Sequence, residues 1–161
     1  MIEEQAITES ELPNVHPPLL FLLLQSYYFL DDALQASVRK ADGPNVPRLQ
    51  SMFMANVAAG VERPSQIAKN LGISRQAVNT LLRELTRKEL VQMVPDPTDK
   101  RAKRVQYHPQ ALRMVQVSRA AMATNEAAIL AAVGQERFDD FIDVLIEINA
   151  FRNAEICTHG T

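Results

Sequence analysis

Arg75, Gln76, Asn79, Thr80 and Arg83 are the residues of this chain best suited to chemistry, and that chemistry is hydrogen bonding to the edges of base pairs. On a helix advancing about 100° per residue Gln76, Asn79, Thr80 and Arg83 share one side, while Val78, Leu81, Leu82 and Leu85 share the other. Gln and Asn can bond adenine through two atoms, Arg can do the same to guanine, and a Thr methyl can meet the thymine methyl. The plainer alternative is a solvated helix face. A second group follows closely: Lys100, Arg101, Lys103 and Arg104 crowd the stretch DPTDKRAKR. Such a basic loop can lie along a minor groove, where the phosphate walls concentrate negative potential and favour an inserted Arg. By itself it reads equally as a soluble loop.

The surrounding residues supply elements that would hold both groups. The run PSQIAKNLGISRQAVNTLLREL predicts a helix, a tight turn and a second helix. Ala68 stands where the helices must approach, Gly72 where the turn needs positive φ, and Ile67, Leu71, Ile73, Val78 and Leu81 form a small core. Pro64 and Ser65 suit the first helix start, and Ser74 suits the N-cap of the second; neither start has a capping box. Leu90–Pro95 and Val105–His108 each alternate in polarity about a charged turn, which predicts a β-hairpin with the four cations at its tip. Asp99 is placed to tether Arg101 and fix its direction.

These parts resemble the MarR-type winged-helix transcriptional regulators. Asp96, Asp99 and Arg101 fit that family's Asp-x-x-Asp-x-Arg wing signature, and SQIAKNLGISRQAVNTLLRELTRKELV is similar to its DNA-reading lobe. The resemblance spans roughly residues 17 to 153. It implies a homodimer on a near-palindromic double-stranded DNA operator, usually a repressor, often released by a small-molecule effector bound between the dimerisation and DNA-binding lobes. The implied pocket lies where the first two helices meet the fifth and draws on His16, Tyr27, Arg48, Met52 and Arg113, with the arginines pairing a carboxylate or phenolate. Glu89 stands where the family commonly has Gly, and Tyr107, His108 and Pro109 replace its usual Leu-Thr.

Charge supports a nucleic-acid partner only when it is divided along the chain. The 161 residues carry a net charge of −2, but residues 62–113 hold 11 Lys and Arg against 5 Asp and Glu. The remainder is acidic, so phosphate attraction is confined to the two groups above.

Prolines and glycines divide the rest: Pro17 and Pro18 open a helix that Gly43 and Pro44 close, Pro47 opens another that ends near Gly60, and Gly134 separates two C-terminal helices. The predicted fold class is mainly α with a small β-hairpin wing, a winged helix-turn-helix lobe joined to a helical dimerisation lobe built from both termini. The predicted divisions are an acidic flexible tail over 1–14, a dimerisation helix over 15–46, the DNA-binding lobe over 47–109 and C-terminal dimerisation helices with a tail over 110–161. Leu19 to Leu24, with Tyr27, Tyr28, Phe29 and Leu30, and Phe138, Phe141, Ile142, Leu145, Ile148 and Phe151 form two apolar stripes that a lone winged domain cannot cover. Pairing of the terminal helices between two chains is the expected cover, and mutual cover within one chain is the alternative.

Other chemistries find no support. The run Leu19–Leu24 is far short of the roughly 20 residues a membrane helix needs. The N-terminal stretch lacks a basic start, which argues against a signal peptide. The lone Cys157 allows no internal disulfide and fits a cytoplasmic location, and with His16, His108 and His159 it makes no zinc pattern. No phosphate loop, dinucleotide fingerprint or nucleophile elbow occurs, so neither catalysis nor a cofactor is expected. The competing function is a winged-helix protein-interaction module that does not bind DNA, since fold alone supports both.

Overall fold

The computed structural model describes residues 17–99 and 101–158, with side chains through residue 151. The segment 1–14, His16, Lys100, His159 and the Cys157 side chain lie outside this description. The elements run α1 (Leu19–Lys40), α2 (Arg48–Ala58), α3 (Pro64–Leu71), α4 (Arg75–Arg87), β1 (Val91–Pro95), β2 (Lys103–Tyr107), a 3-10 turn (Pro109–Ala111), α5 (Leu112–Val133) and α6 (Gln135–Thr158). No described helix is long and apolar enough to cross a membrane.

Local chemistry accounts for the element ends. Pro64 occupies the first turn of α3, where a missing N–H costs nothing, and Gly72 ends it in left-handed geometry with φ of 65°. Ser74 caps α4 by accepting from the Ala77 N–H at 3.1 Å. The cap of α3 is Arg63, without a side-chain bond, and Ser65 lies inside the first turn. Glu89 follows α4 with φ of 55°. Its N–H bonds the Thr86 carbonyl at 3.0 Å while the Leu90 N–H bonds that of Leu85 at 2.9 Å, the Schellman closure of a helix.

Among the described residues, the main apolar core lies within the winged lobe. Phe53, Ile67, Val78, Leu85, Val91 and Val105 are its fully buried members, drawn from α2, α3, α4 and both strands. The strands pair antiparallel from Val91 opposite Tyr107 to Pro95 opposite Lys103. This corrects the expected hairpin: Lys103 and Arg104 belong to β2 rather than to the tip, because the turn closes earlier, where the Ala102 N–H bonds the Asp99 carbonyl at 2.9 Å. His108 lies past the strand and accepts from the Gln110 N–H to cap the 3-10 turn.

The long helices are arranged differently. α1 packs on α5 and α5 on α6, yet α5 has no buried residue. Gly43 permits the approach of the first pair: a Cβ there would stand 2.7 Å from Met114 Sδ and 2.8 Å from the Val38 carbonyl oxygen. Leu20 and Phe29 of α1 and Ile146 and Phe151 of α6 remain 79%, 69%, 61% and 69% exposed. Mutual cover of the two stripes within one chain is therefore not what the chain adopts.

Candidate nucleic-acid interface

The apolar side of α4 is sealed into the core through Val78, Leu81, Leu82 and Leu85, which leaves Ser74, Arg75, Gln76, Asn79, Thr80 and Arg83 exposed on the other. The expected separation of a packing face from a polar face is observed residue by residue. A short chain of bonds orders the outer face: Arg83 Nη2 donates to Thr80 Oγ1 at 3.2 Å, and that hydroxyl donates to the Gln76 carbonyl at 3.2 Å. Thr80 thus has its hydroxyl occupied and its methyl available. Gln76 and Asn79 keep exposed amides one turn apart.

The wing is fixed at both its tip and its base. Asp99 does hold Arg101, but through the backbone: the Arg101 N–H donates to Asp99 Oδ1 at 3.0 Å, so the carboxylate sets the turn rather than the guanidinium. Arg101 and Lys103 are exposed. Arg104 is not free as expected, because its Nη1 donates to Glu62 Oε2 at 2.8 Å. At the base, the buried Asp96 accepts at Oδ1 from the Thr98 N–H and hydroxyl, at 2.9 and 2.7 Å, and at Oδ2 from Arg63 Nη2 at 2.9 Å. Bonds from Thr98, first through its hydroxyl and then its N–H, together with Arg63, hold the Asp96 carboxyl well below the usual carboxylate range.

Away from the wing, the expected pocket is corrected in its residues though not in its place. An apolar cavity of about 380 Å³ opens among α1, α2 and α5. Its walls include Leu34, Met54, Leu90, Tyr107, Met114 and Met122, with Arg119 at the edge, and Tyr27, Arg48, Met52 and Arg113 are not among its lining residues. Arg48 is otherwise engaged: Nε donates to the buried Asp31 at 2.9 Å, Nη2 pairs with Asp32, and the guanidinium lies 4.3 Å from the Tyr28 ring centre. The Tyr27 hydroxyl is buried without a partner among the described residues, and burial, followed by the charge of Asp31, raises its pKa. Arg113 is exposed. Tyr107, which sequence reasoning noted only as a departure, donates to the Met54 carbonyl at 3.0 Å and so joins the wing to the cavity wall.

Residues 45–102 match the model of the MarR family, a span holding α2, α3, α4, β1 and the wing turn. This central lobe is similar to the MarR family. No curated protein sequence matches the chain. Among solved structures, transcriptional regulator PA3341 is similar at 18% identity and a TM-score of 0.68, covering 85% of this chain and 99% of its own. Transcriptional regulator PA4135 matches at 20% identity and a TM-score of 0.64, over 84% of this chain and 98% of its own. The S. aureus protein MepR bound to ethidium bromide matches at 18% identity and a TM-score of 0.53, over 83% and 96%. At these identities the likeness concerns the fold alone.

Proposed function

We propose that the chain is a sequence-specific DNA-binding transcriptional regulator, a repressor that acts as a homodimer on a near-palindromic operator. The observation that carries this reading is the exposed polar face of α4, backed by an apolar core and flanked by a wing that presents Arg101. In it Ser74, Arg75, Gln76, Asn79, Thr80 and Arg83 serve the major groove, and Lys100, Arg101 and Lys103 the minor groove and its phosphates. Arg104 is assigned to wing geometry, since its charge is already met by Glu62. The exposed stripes of α1 and α6 support pairing of two copies. That pairing would present two recognition helices about one helical turn of DNA apart.

A small apolar effector would occupy the cavity beneath α1 and loosen the operator complex. Met54, Met114 and Met122 suit a flat hydrophobic body, because thioether chains adapt to aromatic surfaces. MepR, which has this fold, is bound to ethidium bromide. Selection of duplexes from a randomised pool tests the reading: recovery of an inverted repeat is the expected outcome. Recovery of no sequence preference, with retention insensitive to salt, would favour the protein-interaction module.

A further inference from the structure

We infer that Glu62, Arg63, Asp96 and Arg104 form a charge-neutral clamp that sets the angle of the wing against α3, so that Arg63 and Arg104 are positioning residues rather than phosphate contacts. The inference rests on the DNA reading above and gives the wing its aim.

Backbone geometry brings the four together. The Glu62 carbonyl accepts from the Val105 N–H at 2.7 Å, which lays the segment before α3 alongside β2. Two consecutive residues of opposite charge then face two partners of opposite charge. Glu62 takes Arg104 at 2.8 Å, and Arg63 takes Asp96 through Nη2 at 2.9 Å and Nε at 3.2 Å. Asp96 is only 7% exposed, and its two oxygens are both occupied. Its own N–H bonds the Ala102 carbonyl at 3.0 Å, so Arg101 rides on a turn whose root is the clamped carboxylate.

Two further facts separate positioning from phosphate binding. The cations and anions of the clamp cancel, so the group as a whole offers a phosphate no net attraction. The Arg104 Nε is buried and has no hydrogen-bond partner among the described residues, while its Nη1 is held by Glu62. A cleft of about 470 Å³, walled by Gly60, Glu62, Arg63, Gln66, Asp96 and Arg104, runs between the wing base and α3. The ion pairs span what apolar packing leaves open, and this is why the angle depends on them.

The test uses the full chain and a duplex that the wild-type protein has selected from a randomised pool, carrying A·T-rich or G·C-rich flanks. Arg63→Ala and Arg104→Ala should lose about tenfold in affinity on the A·T-rich flank and much less on the G·C-rich one, the scale of one displaced wing arginine. Without DNA, Arg63→Ala should also speed hydrogen exchange of the hairpin amides. The exchanged pair E62R/R104E should restore binding and flank preference, because a clamp needs opposite charges and not a particular order. Equal losses on the two flanks for Arg104→Ala, or failure of the exchanged pair with a glutamate at a phosphate site, would overturn the proposal. Unchanged hairpin exchange in Arg63→Ala would do the same. If the wild-type protein selects no duplex, the DNA reading fails, and the exchange measurement still decides the clamp.

Discussion

Gln50 donates to Glu84 across 2.6 Å, joining the first turn of α2 to the last turn of α4, the helix that presents Gln76, Asn79 and Arg83. Gln50 is 3% exposed, and its other side-chain atom accepts from Lys88 at 2.8 Å. Lys88 in turn donates to the Asn45 carbonyl at 2.8 Å, next to Pro44 and Val46 of the cavity wall. The amide is therefore satisfied at both ends, a condition that makes its loss expensive.

Gln50→Ala should lower stability by about 1–3 kcal/mol, since Glu84 and Lys88 lose a buried partner and a void remains. Chemical unfolding of the two proteins at equal concentration checks this. No change would show the network to be incidental.

Glu89→Gly should stabilise the chain. A non-glycine residue in left-handed geometry costs about 1–2 kcal/mol, and glycine's extra freedom in the unfolded chain returns about 0.4–1 kcal/mol of that. A net gain under roughly 1.5 kcal/mol is expected in the denaturation midpoint. Glu89→Val should move the midpoint the opposite way, because branching at Cβ crowds that conformation further.

The wing base should loosen in acid. Asp96 has a depressed pKa when folded, so its contribution is present above the unfolded carboxylate value near 3.9 and fades as pH falls below it. Protection of the hairpin amides, measured against their intrinsic exchange rates from about pH 5 downward, should fall more than that of α4, and Asp96→Asn should flatten this difference. Equal losses of protection in both elements would place the acid sensitivity elsewhere.

Asn79→Ala and Arg83→Ala should each cost roughly 1–3 kcal/mol on the selected duplex and far less on random duplex, since only the selected site offers the matching base edge. Lys103→Ala should weaken both alike. Equal losses on the two duplexes for the α4 variants would mean that this helix does not read sequence.

Charged residues at Leu145 and Ile148 should yield monomer or aggregate, as they place charge within the apolar stripe of α6. Light scattering at micromolar concentration reads the result. A monomeric wild-type protein would remove the basis for pairing.

The parts legible in the sequence are those whose causes are local. Gly72, Ser74 and the spacing of Val78, Leu81 and Leu85 each act within a turn or two, and α3, the turn and α4 stand where they indicate. The strand ends were less legible, because they depend on which turn closes and the bond from Ala102 to Asp99 competes with longer alternatives. Arg48 and Arg104 illustrate the larger difficulty. Both carry charge that sequence alone assigns to a ligand or to DNA, and both are met by carboxylates distant in the chain, Asp31 and Glu62. Nothing near either arginine signals the partner. The cavity had the expected place but other walls, since helix rotation about α1 and α5 decides which methionines face inward.

The absence of any buried residue in α5 has a consequence for how the protein comes to exist in the cell. Apolar burial is the main source of folding free energy, and the fully buried apolar side chains among the described residues lie between Phe53 and Ala111. The terminal helices draw little from the chain that carries them. With a second copy as their cover, their order follows mass action, so that the abundance of the protein becomes a variable of its own structure. A few copies would hold a folded winged lobe on uncommitted arms, and a rise in copy number would complete the architecture.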